Sequence, residues 1–210
     1  MKQSKLTEKQ ILEGCRKCKL DAQKALYNQF APKMRSVCIR YSNSRVDAED
    51  ILQEGFLKVF QNISQYKEIG SLEGWIKRII INTALYFYKK KKNTELYNFD
   101  SIAENDIDES ISDEHIEDFD LTNKSDFNSL SEQEAILQAD FSKEEITEAL
   151  NTLKDEFKVV FNLYYIEDFK HKQIAEMLGI DESTSRTRLL RAKKKIQKEL
   201  FAQCKSKFLI

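Results

Sequence analysis

The chain is poor in the residues that punctuate strands and tight turns. Its 210 residues include five Gly and a single Pro, Pro32. Because Gly and Pro mark turns and the ends of elements, this scarcity argues against a fold of many short strands. We therefore expect an all-α chain, long enough for one or two domains.

Cysteines and long apolar runs are also scarce. The four cysteines do not form a secreted-type disulfide framework, and the Cys15–Cys18 pair lacks a second Cys or His pair at zinc-ribbon spacing. We interpret that pair as structural or incidental and predict no metal and no other cofactor. No signal peptide is evident, and no apolar stretch reaches the ~18 residues of a membrane span. We expect a cytoplasmic protein with reduced thiols and no membrane insertion.

Histidine is rare, which weakens the case for an enzyme. The two histidines are His115 and His171. The chain has no Gly-rich phosphate loop and no nucleophile motif. We predict that the protein does not catalyse a reaction.

What the chain does have is segregated charge. The net charge of −1 divides into +10 over residues 1–92, −14 over 93–140 and +3 over 141–210. The acidic stretch has no sustained periodicity, which is typical of a disordered linker. We predict a helical domain over 1–92, an acidic flexible linker over 93–142 and a second helical domain over 143–210.

Residues 171–195 have the pattern of a helix-turn-helix. Gly179 supplies a sharp turn between two apolar-periodic segments, and Asp181 stands where the second helix needs an N-cap. On that second helix the predicted core side holds Leu189, Ala192 and Ile196. The opposite side can meet base edges and phosphates together, and it holds Thr184, Thr187, Arg188, Arg191, Lys194 and Lys195. The alternative is the solvated cationic face of an ordinary helical hairpin.

In the first domain, Ser44 and Asp47 have the form of a capping box that opens the helix DAEDILQEGFLKVF. A helical wheel predicts a buried stripe of Ala48, Leu52, Phe56 and Val59, with an acidic far side that holds Asp47, Asp50 and Glu54. Gln53 falls on its border. Such a face is either merely solvated or docks a basic partner.

A further helix is predicted from Leu72 to about Lys92, after helices broken by Pro32, by a turn over 42–44 and by Gly70. Its predicted core face holds Leu72, Ile76, Ile79, Ile80, Thr83 and Phe87. A separate flank mixes rings with cations, which is how single-stranded nucleic acid is gripped. It holds Trp75, Arg78, Asn82, Tyr86 and Lys89. The alternative makes Trp75 and Tyr86 core residues.

The second domain begins with two further predicted helices that pack beneath the helix-turn-helix. Their predicted core residues are Ile146, Ala149, Leu150 and Leu153 on the first helix, and Val159, Val160, Leu163 and Tyr164 on the second.

Together these motifs resemble a bacterial RNA polymerase sigma factor of the extracytoplasmic-function type. DAEDILQEGFLKVF resembles the helix that docks on the clamp of the polymerase's largest subunit. GWIKRIIINTALYFYKKKK resembles the helix that melts and reads the minus-10 element, and YYIEDFKHKQIAEMLGIDESTSRTRLLRAKKKI resembles the minus-35 reader. The resemblance covers roughly residues 20–92 and 143–200.

The resemblance implies a non-catalytic factor that directs core RNA polymerase to promoter DNA, and that an anti-sigma protein often inhibits. The implied residues fall into three sets. They are Asp47, Asp50, Gln53 and Glu54 for polymerase docking; Trp75, Arg78 and Asn82 for the minus-10 element; and Thr184, Arg186, Thr187, Arg188 and Arg191 for the minus-35 element. From the rings and cations of the same helices we add Lys77, Tyr86 and Lys89 to the minus-10 set, and Lys194 and Lys195 to the minus-35 set.

The chain departs from the family pattern at four positions within the matching motifs. Tyr86 stands where the family usually has Asp, Asp168 where it usually has Gly, and Ser183 and Ser185 where Gly and Val are common. We expect Ser185, on the core side of its helix, to cost some packing. Tyr86 leaves minus-10 specificity open.

A stand-alone helix-turn-helix regulator is the alternative function. It would account for residues 171–195 but leave the acidic helix and the Trp75 flank unused, and it would normally need a dimer to match two half-sites. We expect the free protein to be a monomer.

Overall fold

The computed structural model describes residues 6–99 and 139–208, with side chains through residue 91 of the first range and residue 205 of the second. Both ranges hold helices and no strand, so the all-α prediction is confirmed. Chain contacts divide the molecule into two compact units, Met1–Ala103 and Glu104–Ile210. Most of the predicted linker lies outside the described residues.

Residues 6–99, the described part of unit 1, hold four α-helices. They are α1 (Glu8–Arg16), α2 (Leu20–Tyr41), α3 (Arg45–Asn62) and α4 (Leu72–Phe99), with a 3₁₀ turn at Ile63–Gln65. Helix α2 packs against α1, α3 and α4, and α3 packs against α4. Helix α4 runs past residue 92, where the first domain was expected to end.

The expected break at Pro32 is wrong, because this residue lies inside α2. A proline within a helix removes one hydrogen bond and costs about 3 kcal/mol. Its neighbours Phe30, Ala31 and Met34 are all buried. Burying large side chains contributes about 1.5–3 kcal/mol each, so packing on both sides of Pro32 outweighs the lost bond and the helix continues.

Helices α3 and α4 approach each other closely at Gly55. A Cβ atom at this position would lie 2.4 Å from the Cδ1 atom of Ile80, whose side chain is fully buried. A side chain at position 55 would therefore displace the tip of Ile80 from its packed position. The predicted stripe of α3, which also lies on this side of the helix, is buried as expected: Ala48, Leu52, Phe56 and Val59.

The burial of α4 is wider than the sequence predicts. Ile76, Ile80 and Thr83 are buried as expected, whereas Ile79 and Phe87 are only half-buried. Ile81, Ala84 and Leu85 are buried as well, because α4 packs against both α2 and α3.

The described part of unit 2 holds three short helices and one long one. They are α5 (Lys143–Asn151), α6 (Asp155–Phe161), which continues as a π-helical turn at Asn162–Ile166, α7 (His171–Leu178) and α8 (Glu182–Phe208). Helix α8 packs against α5, α6 and α7. One core cluster joins α8 to the start of the unit: it contains Ala149 and Leu153 together with Ala192 and Ile196 of α8.

Ile146 was expected in this core but is 43% exposed. It lies one turn before Ala149, and the α5 residues that pack against α8 are Ala149, Leu150 and the following Leu153. The short helix is therefore covered only at its C-terminal end, which a helical wheel cannot indicate. Val159, Val160 and Leu163 are buried as predicted.

Candidate functional site

The acidic face of α3 is exposed. Ser44 caps the helix by accepting a hydrogen bond from the backbone N–H of Asp47 at 3.0 Å. Asp47, Asp50 and Gln53 are exposed, whereas Glu54 is half-buried and lies 3.4 Å from the ammonium of Lys58. The cap and the buried stripe fix the rotation of α3, so these polar side chains share one surface.

Two exposed apolar residues extend this surface, and sequence reasoning missed them. Val46 is 70% exposed and Leu57 is 55% exposed. With Asp50 and Gln53 they follow at i, i+4, i+7 and i+11, which is one stripe along a helix. The signal was available, because both lie outside the predicted buried stripe. A stripe that mixes acids with aliphatic side chains is suited to a protein partner.

Glu49, at the border of this face, forms an ion pair with another helix of unit 1. Its carboxylate accepts hydrogen bonds from both the Nε and the NH2 groups of Arg35 on α2, the second at 3.2 Å. The hydrogen bond from the guanidinium lowers the pKa of Glu49. The pair joins α2 to α3 beside the exposed stripe, and Glu49 is therefore not a free docking residue.

The flank of α4 presents most of its predicted side chains. Arg78, Asn82 and Lys89 are exposed. Trp75 is half-buried, with its ring centroid 5.4 Å from that of Tyr66. One side of the indole thus packs on unit 1 while the rest remains accessible, which falls between the two predicted interpretations of Trp75.

Tyr86 and Lys77 also lie along α4. Tyr86 is 57% exposed, and the ammonium of Lys58 lies 5.1 Å from its ring centroid. A cation over a ring is an attractive contact, so Lys58 adds positive charge from α3 to this flank. Lys77 is half-buried. The interpretation of Tyr86 as a core residue is wrong.

The turn between α7 and α8 has the predicted geometry. Gly179 ends α7 with φ of 71°, and its N–H donates to the carbonyl of Ala175 at 2.8 Å. This left-handed conformation favours glycine. Asp181 directly precedes α8, as expected for its N-cap position. The two helices pack against each other, with Ile174 of α7 and Leu189 of α8 both buried.

Ser185 is satisfied within that core. Its hydroxyl lies 2.9 Å from Nδ1 of His171, and the side chain is fully buried. The imidazole stacks on the ring of Tyr164, with the centroids 4.7 Å apart. Burial, together with the nearby cations of Arg186 and Lys193, lowers the pKa of His171. The expected packing cost at Ser185 is offset by this hydrogen bond, which the sequence wheel did not reveal.

The predicted DNA-facing residues of α8 differ in their surroundings. Arg191 and Lys195 are exposed, whereas Thr184, Thr187 and Lys194 are half-buried. Arg186 is exposed and pairs with Glu182 at 2.6 Å, one turn earlier in the helix. The free side of α8 is therefore cationic, with Arg191 at its centre.

Arg188 does not join this cationic side. Its NH2 group lies 3.1 Å from the carboxylate of Glu156 on α6, and its side chain is only 15% exposed. Arg188 lies at the edge of the buried stripe, so a neighbouring acidic helix can capture it. The expectation that Arg188 faces outward with Arg191 is corrected by this geometry.

Two family models match the chain. Residues 26–94 match Sigma-70 region 2, and residues 143–196 match Sigma-70 region 4. Together they cover more than half of the chain, and each falls within one of the two units.

The chain belongs to the sigma-70 factors of the extracytoplasmic-function (ECF) type.

Several ECF sigma factors are similar to this sigma factor in sequence. SigE of Mycolicibacterium smegmatis is 27% identical over 172 residues, which are 82% of this chain and 59% of SigE. The chain thus spans less than two thirds of that relative. The sigma-E factor of Haemophilus influenzae is 26% identical over 195 residues, with 93% of this chain and 96% of that protein covered.

Among solved structures, the sigma factor RpoE of Bartonella quintana, in complex with the anti-sigma factor NepR, is 18% identical. The superposition covers 84% of this chain and 95% of that chain, with a TM-score of 0.47.

One departure from the family pattern has a local explanation. Asp168 stands where other ECF sigma factors usually have Gly, and its φ is 57°, in the left-handed region. Asp tolerates this region better than most residues do, because its short side chain can bond to the nearby backbone. The loop before α7 thus keeps the conformation that a glycine would allow.

The cysteines of the sigma factor are thiols in the described ranges, where no group of three or more metal-ligating side chains occurs. Cys15 is buried, and burial raises the pKa of its thiol to about 11. A thiol with so high a pKa is unreactive at neutral pH. In the same ranges, no helix is long and apolar enough to cross a membrane.

Proposed function

We propose that this sigma factor binds core RNA polymerase through the exposed stripe of α3 and contacts promoter DNA with both units. The flank of α4 meets the minus-10 element and the cationic side of α8 meets the minus-35 element. The chain performs no catalysis itself. The observation that carries the proposal is the match of unit 1 to region 2 and unit 2 to region 4, each with an exposed surface of suitable chemistry.

The polymerase-docking role rests on the composition of the α3 stripe. Asp50 and Gln53 lie between the exposed aliphatic side chains of Val46 and Leu57. Charge complementarity steers a partner, while the aliphatic contacts contribute buried area. The docking partner is therefore expected to present a surface that is basic and partly apolar.

The minus-10 role rests on the α4 flank. Arg78 and Lys89 can hold phosphates, while the rings of Trp75 and Tyr86 can stack on unpaired bases. Asn82 lies between these rings and can donate to and accept from a base edge. Such a flank compensates the cost of unstacking when the duplex opens.

The minus-35 role rests on α8. Arg191 and Lys195 are exposed on the side away from the core. An arginine there can bond to guanine O6 and N7 bidentately in the major groove, and a lysine can hold a phosphate. The helix-turn-helix fixes which side of α8 reaches the groove.

The proposal includes the setting in which this factor acts. It works in the cytoplasm, with core polymerase and the chromosome, and is a monomer when free. An anti-sigma protein is an expected partner, as it is for many ECF sigma factors. A stand-alone regulator is not favoured, because region 2 would have no role.

Co-purification of the chain with core RNA polymerase tests the docking role. We expect Asp50→Lys to weaken the complex strongly, because it reverses a charge in the middle of the α3 stripe. Glu13→Lys makes the same charge change at an exposed position on α1 and should bind normally. Equal binding of both variants would remove α3 from the interface.

Permanganate footprinting of the promoter bubble tests the minus-10 role. Asn82→Ala should leave polymerase binding intact and reduce thymine reactivity in the bubble. Gln61→Ala removes an exposed amide from α3 of the same unit and should react like the wild type. Full reactivity in Asn82→Ala would contradict the assignment of the α4 flank.

A further inference from the structure

A single arginine joins α1 to the loop that precedes α4. Arg16 is the last residue of α1. Its NH1 group lies 3.0 Å from a carboxylate oxygen of Glu68, and its NH2 group donates to the backbone carbonyl of Tyr66 at 2.8 Å. One guanidinium thus binds both a side chain and the main chain of a segment about fifty positions later.

The loop held by Arg16 has an unfavourable backbone. Glu68 has φ of 60° and Gly70 has φ of 83°, both in the left-handed region. A glutamate in that region persists only when surrounding contacts determine its conformation. Side chains make such contacts with the loop: Arg16 binds Glu68 and the carbonyl of Tyr66, and the Tyr66 hydroxyl donates to the carbonyl of Gly70 at 2.8 Å.

This loop packs against Trp75 through Tyr66. Tyr66 is buried, and its ring centroid lies 5.4 Å from that of Trp75. The same tyrosine carries the carbonyl that Arg16 binds. Release of Arg16 would therefore free the backbone of the residue on which the indole packs, and the loop leads directly into the first turn of α4.

Helix α1, which carries Arg16, is capped at its N-terminus and packed against the rest of unit 1. Its N-terminus has a complete capping box between Thr7 and Gln10. Its residues Ile11, Leu12 and Cys15 are buried, and the helix packs against α2. The match to Sigma-70 region 2 begins at residue 26, and α1 therefore lies outside it.

We propose that Arg16 is a positioning residue, which fixes the loop over residues 66–70 and thereby the orientation of Trp75 for promoter opening. The inference rests on the proposed function of the α4 flank. It assigns to α1 a part in DNA opening that acts through the loop and requires no DNA contact of α1 itself. An ordinary surface ion pair between Arg16 and Glu68 would contribute little to stability and would not affect Trp75.

The fluorescence of Trp75 tests the first half of this inference directly, because it is the only tryptophan of the chain. In the full-length free protein, Arg16→Gln should increase quenching of Trp75 by acrylamide and shift its emission to the red. Arg16→Lys keeps the charge but not the planar fork, so its effect should be intermediate. Lys17→Gln removes a charge from the adjacent exposed residue and should match the wild type.

Permanganate footprinting with holoenzyme tests the second half, on promoter fragments selected by the wild-type holoenzyme. Arg16→Gln should bind core polymerase normally and show a several-fold loss of thymine reactivity. Glu68→Gln reaches the same contact from the loop side and should show a smaller loss of the same kind. It also serves as the test if Arg16→Gln does not fold.

Three outcomes would overturn the inference. They are unchanged quenching in Arg16→Gln, increased quenching with unchanged promoter opening, and a loss of polymerase binding parallel to the loss of opening. Failure of the proposed function is recognised separately, since wild-type holoenzyme would then open no promoter while Trp75 quenching would still report on the Arg16 contact.

Discussion

Helices α4 and α8 are both proposed to contact promoter DNA, yet they are buried differently. Helix α4 packs against two long helices and buries side chains over a wide arc, from Ile76 and Ile80 to Ile81 and Leu85. Helix α8 buries a narrower stripe, along Ser185, Leu189, Ala192 and Ile196, and most of its other described side chains are half-buried. At a half-buried position a cation can pair with an acid from a neighbouring helix, as Arg188 pairs with Glu156.

The comparison of α4 with α8 is sharpest if the two units that contain them unfold independently. Truncation of a core side chain in each unit tests this, and it has the largest expected effect on the free energy of unfolding. Ile76→Ala in α4 removes a fully buried side chain and should lower the free energy of unfolding of unit 1 by about 2–5 kcal/mol. In urea, Trp75 fluorescence reports on unit 1, while far-UV circular dichroism reports on both units.

Ile174→Ala is the matched variant in unit 2, since Ile174 is equally buried. It should shift only the circular dichroism transition and leave the Trp75 transition in place. A shift of the Trp75 transition in this variant would show that the two units unfold together.

The second prediction compares two arginines on α8. Arg191→Ala should reduce discrimination at one minus-35 base pair by roughly 1–3 kcal/mol, because Arg191 is exposed and able to bond to a guanine. Arg188→Ala should instead lower the stability of unit 2 by about 1 kcal/mol, because it leaves Glu156 unpaired.

Binding of holoenzyme to promoter fragments with single changes in the minus-35 element measures the first effect, and urea unfolding measures the second. If Arg188→Ala relaxes base preference while unfolding is unchanged, Arg188 leaves Glu156 when DNA binds. The contrast between the two arginines would then be lost.

The smallest expected effect concerns pH and His171. The pKa of this imidazole is lowered in the folded state, mainly by burial, from an unfolded value of 6.5. Unfolding therefore takes up a proton between the folded pKa and pH 6.5, and the stability of unit 2 decreases as the pH falls through that window. Above pH 6.5 the imidazole is neutral in both the folded and the unfolded state, so its titration no longer changes the stability of unit 2. Urea unfolding followed by circular dichroism on either side of pH 6.5 measures this decrease.

His171→Gln removes the titrating group and should flatten this pH dependence of unit 2. The Trp75 transition of the same samples gives the background change in unit 1. An unchanged slope in His171→Gln would assign the proton uptake to another group.

Several elements could be predicted from the sequence because their causes are local. The cap at Ser44, the stripe of α3 and the turn at Gly179 depend on neighbouring residues and helical periodicity alone. Continuation of α2 through Pro32 depends on what packs around it, and the capture of Arg188 depends on Glu156 from another helix. A helical wheel gives the direction of a side chain but not the residues that it meets there.

The candidate sites follow the same division. The exposed flank of α4 was predictable, since its apolar positions define what remains outside. Arg16 could not be found in this way, because its partners are a carbonyl and a carboxylate distant in sequence. The hydrogen bond between Ser185 and His171 was missed for the same reason, although both residues were noted individually.

The close approach at Gly55 limits how this protein can be recombined. The tip of Ile80 on α4 fills the space that a side chain at Gly55 of α3 would occupy, so the two helices are matched at this contact. A chimera that imports α4 from another factor keeps Gly55 but changes its partner, so a smaller side chain would leave a cavity and a larger one would disturb the packing. Exchange of promoter preference between such factors should therefore cost least stability when both helices are transferred as one segment.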